Sequence, residues 1–401
     1  MTTGANIDTG VLAGVRVLDF GRFIAGPFCA ALLADLGADV IRIEKVSGSE
    51  DRFLQPVAED HAGAMFLQCN RGKRGLTLNP MKPEGQEIVR KLVKTADVVI
   101  ANLPPDTILR MGLDYETLRE IQPQIILSTV SALGTKGPWA NKVGFDGVAQ
   151  AMSGNAFLTG HADEPMKAWV PYVDFGTAAF SALGIVSALL ARTQGRGGQR
   201  VEASLLRTAL TINNATLIEQ HLLHPDRVGS GNRGQTAGPS DVFQTRDGWV
   251  LISVSGQMLF DRIASLLNDP GLLDDPRFAD DLLRGEHGDV LSEMMTPWFA
   301  QRSTEEALAE LEVARIPAGP VYSPQQALDD PHIQASEILG GIQYPGAVAD
   351  APIAGSPMEM SGTPAAPQGR SPQLGEHTDA ILQDLGYDAD TIAALHEARV
   401  V

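Results

Sequence analysis

The sequence predicts an α/β protein built on a doubly wound parallel sheet, from three observations. β-rich runs alternate with helix-periodic runs through the first third of the chain. The first strand, helix and strand together have the length of a βαβ unit. Glycine and proline punctuate the strand ends, where such a sheet places its ligand-binding loops.

VRVLDF (15–20) alternates and reads as a strand. GRFIAGP breaks the pattern, FCAALLADLG reads as a helix stopped at Gly37, and ADVIRIE is a strand ending at Glu44. The rhythm continues with the strand RGLTLN, the helix PEGQEIVRKLVKTA opened by Pro83, the strand DVVIANL, the short helix DYETLREI and the strand QIILSTVSAL. An acidic residue such as Glu44 could hold a ribose in a dinucleotide site. GRFIAGP lacks the G-x-G-x-x-G glycines, however, and puts Pro27 and Phe28 where a pyrophosphate needs close backbone approach, so a nicotinamide site is disfavoured.

PYVDFGTAAFSALGIVSALLA (171–191) follows, with Asp174 just ahead of a long small-residue and apolar run. On local chemistry Asp174 is an N-cap candidate. The run is broken by Gly176, Thr177, Ser181, Gly184 and Ser187, which favours a buried helix over a membrane span. RTQGRGGQRVEASLL reads as a hairpin or domain edge, and LLRTALTINNATLIEQHLL as one helix. Gly229 to Phe243 is a long glycine-rich loop, and QTRDGWVLISV is a hairpin around Asp247-Gly248. Ser303 to Glu306 is a capping box, SGTPAAPQGRSPQLG is too breaker-rich to be regular, and TDAILQDLG is a last helix.

Composition narrows the function. A hydrophobic content of 44% supports a sizeable core, and a net charge of −18 argues against nucleic acid or an anionic membrane as partner. NRGKRG supplies a local basic cluster, Arg71, Lys73 and Arg74, suited to an anionic ligand. The N-terminus carries no secretory pattern and two cysteines make no disulfide framework, so a cytoplasmic enzyme is expected. The sequence contains no G-x-S-x-G elbow and no P-loop. His221 and His224 lack a third ligand nearby in sequence, so no metal is expected.

GVRVLDFGRFIAGPFCAALLADLGADVIRIEK, NRGKRGLTLN, ADVVIANLPPDTILRMGLDYETL, GFDGVAQAMSG, VDFGTAAFSALGIVSALLAR, PAGPVYSPQQALDDPHI and LGEHTDAIL occur in this order. As an ordered set covering almost the whole chain, they resemble the family III CoA-transferases, which include formyl-CoA and carnitine CoA-transferases and share a superfamily with α-methylacyl-CoA racemases. The resemblance implies a Rossmann-like large domain (1–200), a linker helix (201–225), a smaller α+β domain (226–325) and a return segment (326–401) completing the large domain. It also implies an interlaced homodimer.

The resemblance implies further that Asp174 is the catalytic nucleophile, forming an aspartyl anhydride and then an aspartyl-CoA thioester while CoA passes from an acyl-CoA to a free carboxylic acid. Backbone N–H groups would serve the oxyanions. By position it assigns coenzyme A contacts to Ile24, Ala25, Lys45, Arg74, Leu78, Asn79, Asn102, Leu103, Arg110, Met111, Lys142 and Phe145. Ile24 stands where some formyl-type members carry glutamine, which points to a larger or more apolar acyl group. The racemase branch has histidine where this chain has Phe145, which transfers no proton. An acyl-CoA racemase and a non-catalytic CoA-binding protein are the alternatives. The loop from Gly229 to Gly238 is a candidate cover for the intermediate.

Overall fold

The computed structural model describes residues 10–140 and 142–401, which fall into two compact units. The first takes the described residues up to Ser153 with Trp169–Thr216 and Glu337–Val401; the second takes Gly154–Ala168 and Leu217–Ser336.

The first unit is built on a six-stranded sheet: β1 (Arg16–Asp19), β2 (Asp39–Glu44), β3 (Arg74–Thr77), β4 (Val98–Ala101), β5 (Ile126–Ser131) and β6 (Arg200–Ser204). Every pairing is parallel and the spatial order is β3-β2-β1-β4-β5-β6. Four of the strands are almost wholly buried, as in a parallel sheet covered on both faces. The order reverses between β1 and β4, and such sheets bind ligands at the carboxyl ends on either side of that point. RTQGRGGQRVEASLL therefore supplies a sheet edge, β6, rather than a hairpin: its valine and alanine pair with β5.

Two helices cover one face. Ala25–Asp35 is buried almost throughout and packs Cys29, Ala30 and Leu33 against Ala178, Ala182 and Ile185 of the helix Tyr172–Thr193. Their small side chains let the backbones approach closely. Tyr172–Thr193 is long and apolar enough to cross a membrane. Its inward stripe lies in the core, while Phe180, Leu183 and Leu190 on the other side are exposed. The following helical stretch divides into Leu205–Ile212 and Asn214–Leu223. At the break, Asn213 turns its side-chain amide to the Ser153 carbonyl at 2.8 Å.

The C-terminal residues close the opposite edge. Lying at the end of the strand order, β3 would present an open edge. His377 and Thr378 hydrogen-bond the backbone of Gly75 and Thr77 there, and the Asn79 N–H donates to the Val400 carbonyl at 2.7 Å. A helix beyond Thr378–Asp384, Ala389–Glu397, lacked a strong sequence signal and contributes Ile392 and Leu395 to the same core.

The second unit has its own core around a three-stranded antiparallel sheet, Ser240–Gln244, Trp249–Ser253 and Ala318–Pro320. The hairpin turns at Asp247-Gly248, and the Ser303–Glu306 capping box is formed. The irregular loop before it is tethered where the Gly231 N–H donates to the Gly160 carbonyl.

Beneath the loop after β1 lies a buried ion cluster. The Lys73 ammonium reaches Asp19 Oδ2, Asn70 Oδ1 and the Pro27 carbonyl, each at 2.8 Å, so all three donors are used. Arg42 binds Asp51 at 2.7 Å and the Gly21 carbonyl. Burial pushes the Asp19 carboxyl up, but Lys73 and Arg42 outweigh it and hold it below its usual range. Lys73→Met strands Asp19 beside a partner 3.7 Å away and is expected to destabilise the chain by about 3 kcal/mol, measured as a lower urea midpoint.

Candidate active site

At the strand-order reversal, Asn102 follows β4 and faces Arg22 after β1. Its carbonyl oxygen accepts the Arg22 N–H at 2.6 Å, and its amide donates to the Arg22 carbonyl at 2.7 Å. This clasp needs Gly26, because a Cβ there would stand 3.1 Å from Asn102 Oδ1 and 3.0 Å from the Gly21 Cα. Phe23 in the same loop holds φ +60°, a conformation that costs a non-glycine residue energy and is often retained at working sites.

A cavity of about 690 Å³ opens beside the clasp. Of the positions singled out from sequence, Lys45, Leu78, Asn79, Leu103 and Met111 line it. Arg22, Glu50, Lys82 and Arg399 join them, and none of these four was assigned a role from sequence. The volume suits a nucleotide-sized ligand. Lys45 is engaged by Glu50, and Arg22 directs one guanidinium nitrogen at the Phe20, Gly21 and Ile43 carbonyls.

The other assigned positions lie outside this lining. Ile24 and Ala25 are buried at the start of the Ala25–Asp35 helix. The Arg74 guanidinium grips Asp39 at 2.9 and 2.7 Å. Arg110 is exposed next to Met111, and the Lys142 ammonium sits 4.1 Å over the Trp139 ring. Glu44 is taken by Arg52, at 3.1 and 2.6 Å, so no ribose partner is free at the end of β2.

From the clasp, ring contacts lead to Asp174. Phe23 meets Phe145 edge to face, with centroids 5.3 Å apart. Phe145 precedes Asp146, whose carboxylate accepts the Asp174 N–H at 2.9 Å and also binds Gln150. Asp174 is not the helix cap: Pro171 holds that position, and Asp174 lies within the first turn with its side chain half-buried. Burial first, and the Asp146 charge second, push its carboxyl up to about 7. Asp146, which holds the Asp174 backbone, was not assigned a role from sequence. Its only local signal is its place at the start of a helix, in the GFD segment.

Residues 12–378 match CoA-transferase family III. The chain belongs to this family. It is 32% identical to the succinyl-CoA–D-citramalate CoA-transferase of Chloroflexus aurantiacus over 97% of this chain and 98% of that one. It is also 32% identical to the succinate–glutarate CoA-transferase of Agrobacterium fabrum, over 93% and 95% of the two chains. The crystal structure of a CAIB/BAIF family protein from Brucella suis superposes with a TM-score of 0.83 at 31% identity, covering 94% of this chain and all of that one. The protein is an acyl-CoA:carboxylate CoA-transferase, and its family implies coenzyme A substrates. Among the described residues no cluster of three metal-ligating side chains occurs.

A carboxyl raised from 3.8 to about 7 is neutral in the folded transferase over a range where the unfolded chain ionises it. The Asp174 contribution to stability therefore falls as pH rises from 4 to 7, and the loss levels off above 7. Asp174→Asn removes it, so the variant's advantage in urea unfolding is expected to grow over that range to about 2 kcal/mol, allowing for solvent screening.

Proposed function

We propose that Asp174 is the covalent nucleophile of this CoA-transferase. The observation that carries the reading is a half-buried carboxyl, raised to about 7, in the first turn of the long helix. Raised basicity strengthens the ionised form as a nucleophile while leaving much of it ionised near neutrality. Its oxygen attacks the thioester carbonyl of the donor; a C–O bond forms, the C–S bond breaks, and CoA leaves as thiolate. The thiolate attacks the Asp174 carbonyl of the mixed anhydride, forming an aspartyl-CoA thioester and releasing the donor acid. The acceptor carboxylate displaces CoA to give a second anhydride. The thiolate then attacks the acceptor's carbonyl, giving the new acyl-CoA and a free Asp174.

Relatives named for succinyl-CoA, D-citramalate, glutarate and mesaconate support a dicarboxylic donor and acceptor, and Ile24 in the first loop is compatible with an acyl group larger than formyl. A panel pitting succinyl-CoA with glutarate against formyl-CoA with oxalate and against branched or aromatic acids tests this; faster turnover of either competing class would refute it. Racemisation is disfavoured because Phe145 carries no titratable proton and the Asp146 carboxylate already has two partners.

We also propose that the transferase works in the cytoplasm as an interlaced homodimer. The exposed Phe180, Leu183 and Leu190 on one helix face support a second copy as cover. Leu183→Glu is expected to shift the native mass from dimer to monomer.

With an ionised nucleophile required, kcat/KM is expected to fall about tenfold per pH unit below an acid limb near 7. Asp146→Asn removes the neighbouring charge and should move that limb to lower pH. Hydroxylamine added with acyl-CoA should leave a hydroxamate on the Asp174 peptide. An unmodified peptide, together with full turnover by Asp174→Ala, would reject the nucleophile.

A further inference from the structure

We propose that Arg399, two residues before the last, is a recognition residue for a phosphate of the CoA nucleotide, which makes the C-terminal turn part of the substrate site. The inference rests on the transferase reading above.

Three observations lead to it. The first is backbone conformation. After the helix Ala389–Glu397, the Arg399 N–H donates to the His396 carbonyl and the Val400 N–H to the Leu395 carbonyl, both at 2.9 Å. This is the Schellman arrangement, whose left-handed residue is usually glycine. The same pattern follows the helices that end before Gly37, Gly112 and Gly386 in this unit, and glycine fills the position each time. Arg399 takes it at φ +49°. The other arginine in such a turn, Arg315, belongs to the second unit. An L-residue there costs about 1 kcal/mol, so a side-chain role is the natural reason for keeping one.

The second is placement. Val400 and Val401 are buried in the sheet core, and the Val400 carbonyl accepts the Asn79 N–H. The turn is thereby fixed against the loop after β3, and Arg399 stands in the lining of the 690 Å³ cavity.

The third is charge. The cavity gathers Arg22, Lys45, Lys82 and Arg399 in a protein of net charge −18. Lys45 is paired with Glu50, and Arg22 spends one guanidinium nitrogen on backbone carbonyls. Lys82 touches the Ala398 carbonyl in the same turn. Among the described residues no carboxylate pairs with Lys82, Arg399 or Arg22, so Lys82 and Arg399, with the rest of the Arg22 fork, remain for an anion. A guanidinium fork matches phosphate oxygens in bidentate fashion.

Calorimetric titration of the full chain with CoA tests the proposal without requiring turnover. Arg399→Gly places the residue that the turn favours, so its urea stability should equal or exceed the wild type while its Kd for CoA rises about tenfold. Arg399→Lys should retain most of the affinity. A glycine variant that binds CoA as the wild type does would overturn the inference, as would one that loses affinity only in proportion to lost stability. Dephospho-CoA separates the sources. If the variant's penalty vanishes with it, Arg399 reads the 3′-phosphate; if the penalty persists, it reads the pyrophosphate. Wild-type protein that fails to bind CoA at all would count against the transferase reading itself.

Discussion

The site depends on one hydrogen bond: the Asp146 carboxylate accepts the backbone N–H of Asp174. The first turn of a helix is a partial positive pole, which ordinarily favours an ionised carboxylate. Here Asp146 takes the amide at that pole and adds its own negative charge close by. Asp174, half-buried, is left basic rather than acidic. One contact across 28 residues of sequence thus anchors the start of the long helix and tunes the group at its tip. The folded state bears a carboxylate that would be better solvated unfolded, a cost characteristic of working sites.

Around this pair the first unit ties its loops down through paired contacts. Lys73 and Arg42 fix the carbonyls of the loop after β1 from below, the Arg22–Asn102 clasp closes the sheet's switch point, and the Phe23–Phe145 contact leads on to Asp146. The cationic cavity adjoins the clasp, where a doubly wound sheet is expected to hold a nucleotide. A strongly acidic chain that gathers cations in one concavity makes that concavity the favoured place for an anion.

Much of the sheet was legible in the sequence, because buried parallel strands and their helices leave strong local patterns, as ADVIRIE and PEGQEIVRKLVKTA do. What failed to appear locally was long-range. The RVEAS segment shows β character but not its partner, so hairpin and domain edge stood equally open for β6. Asn213 breaks a helix because of a carbonyl sixty residues away. Asp174 has the composition of a cap, yet the backbone begins its turn at Pro171. Arg74 lies in a basic run, but Asp39 on the neighbouring strand claims it. Arg399 follows a weakly patterned terminal helix, and only the folded chain brings it to Asn79 and Lys82. The order of the family's motifs pointed to Asp174; the Asp146 contact to its backbone appears only in the folded chain.

The central claim is that the Asp174 carboxylate exchanges an oxygen atom with its substrates. Each forward turnover gives one aspartyl oxygen to the departing donor acid and receives one from the acceptor. The direct measurement is mass spectrometry of the Asp174 peptide after turnovers with an acceptor whose carboxylate carries oxygen-18. The account predicts heavy oxygen at Asp174, and none when acyl-CoA is withheld. An unlabelled Asp174 after many completed transfers would contradict it.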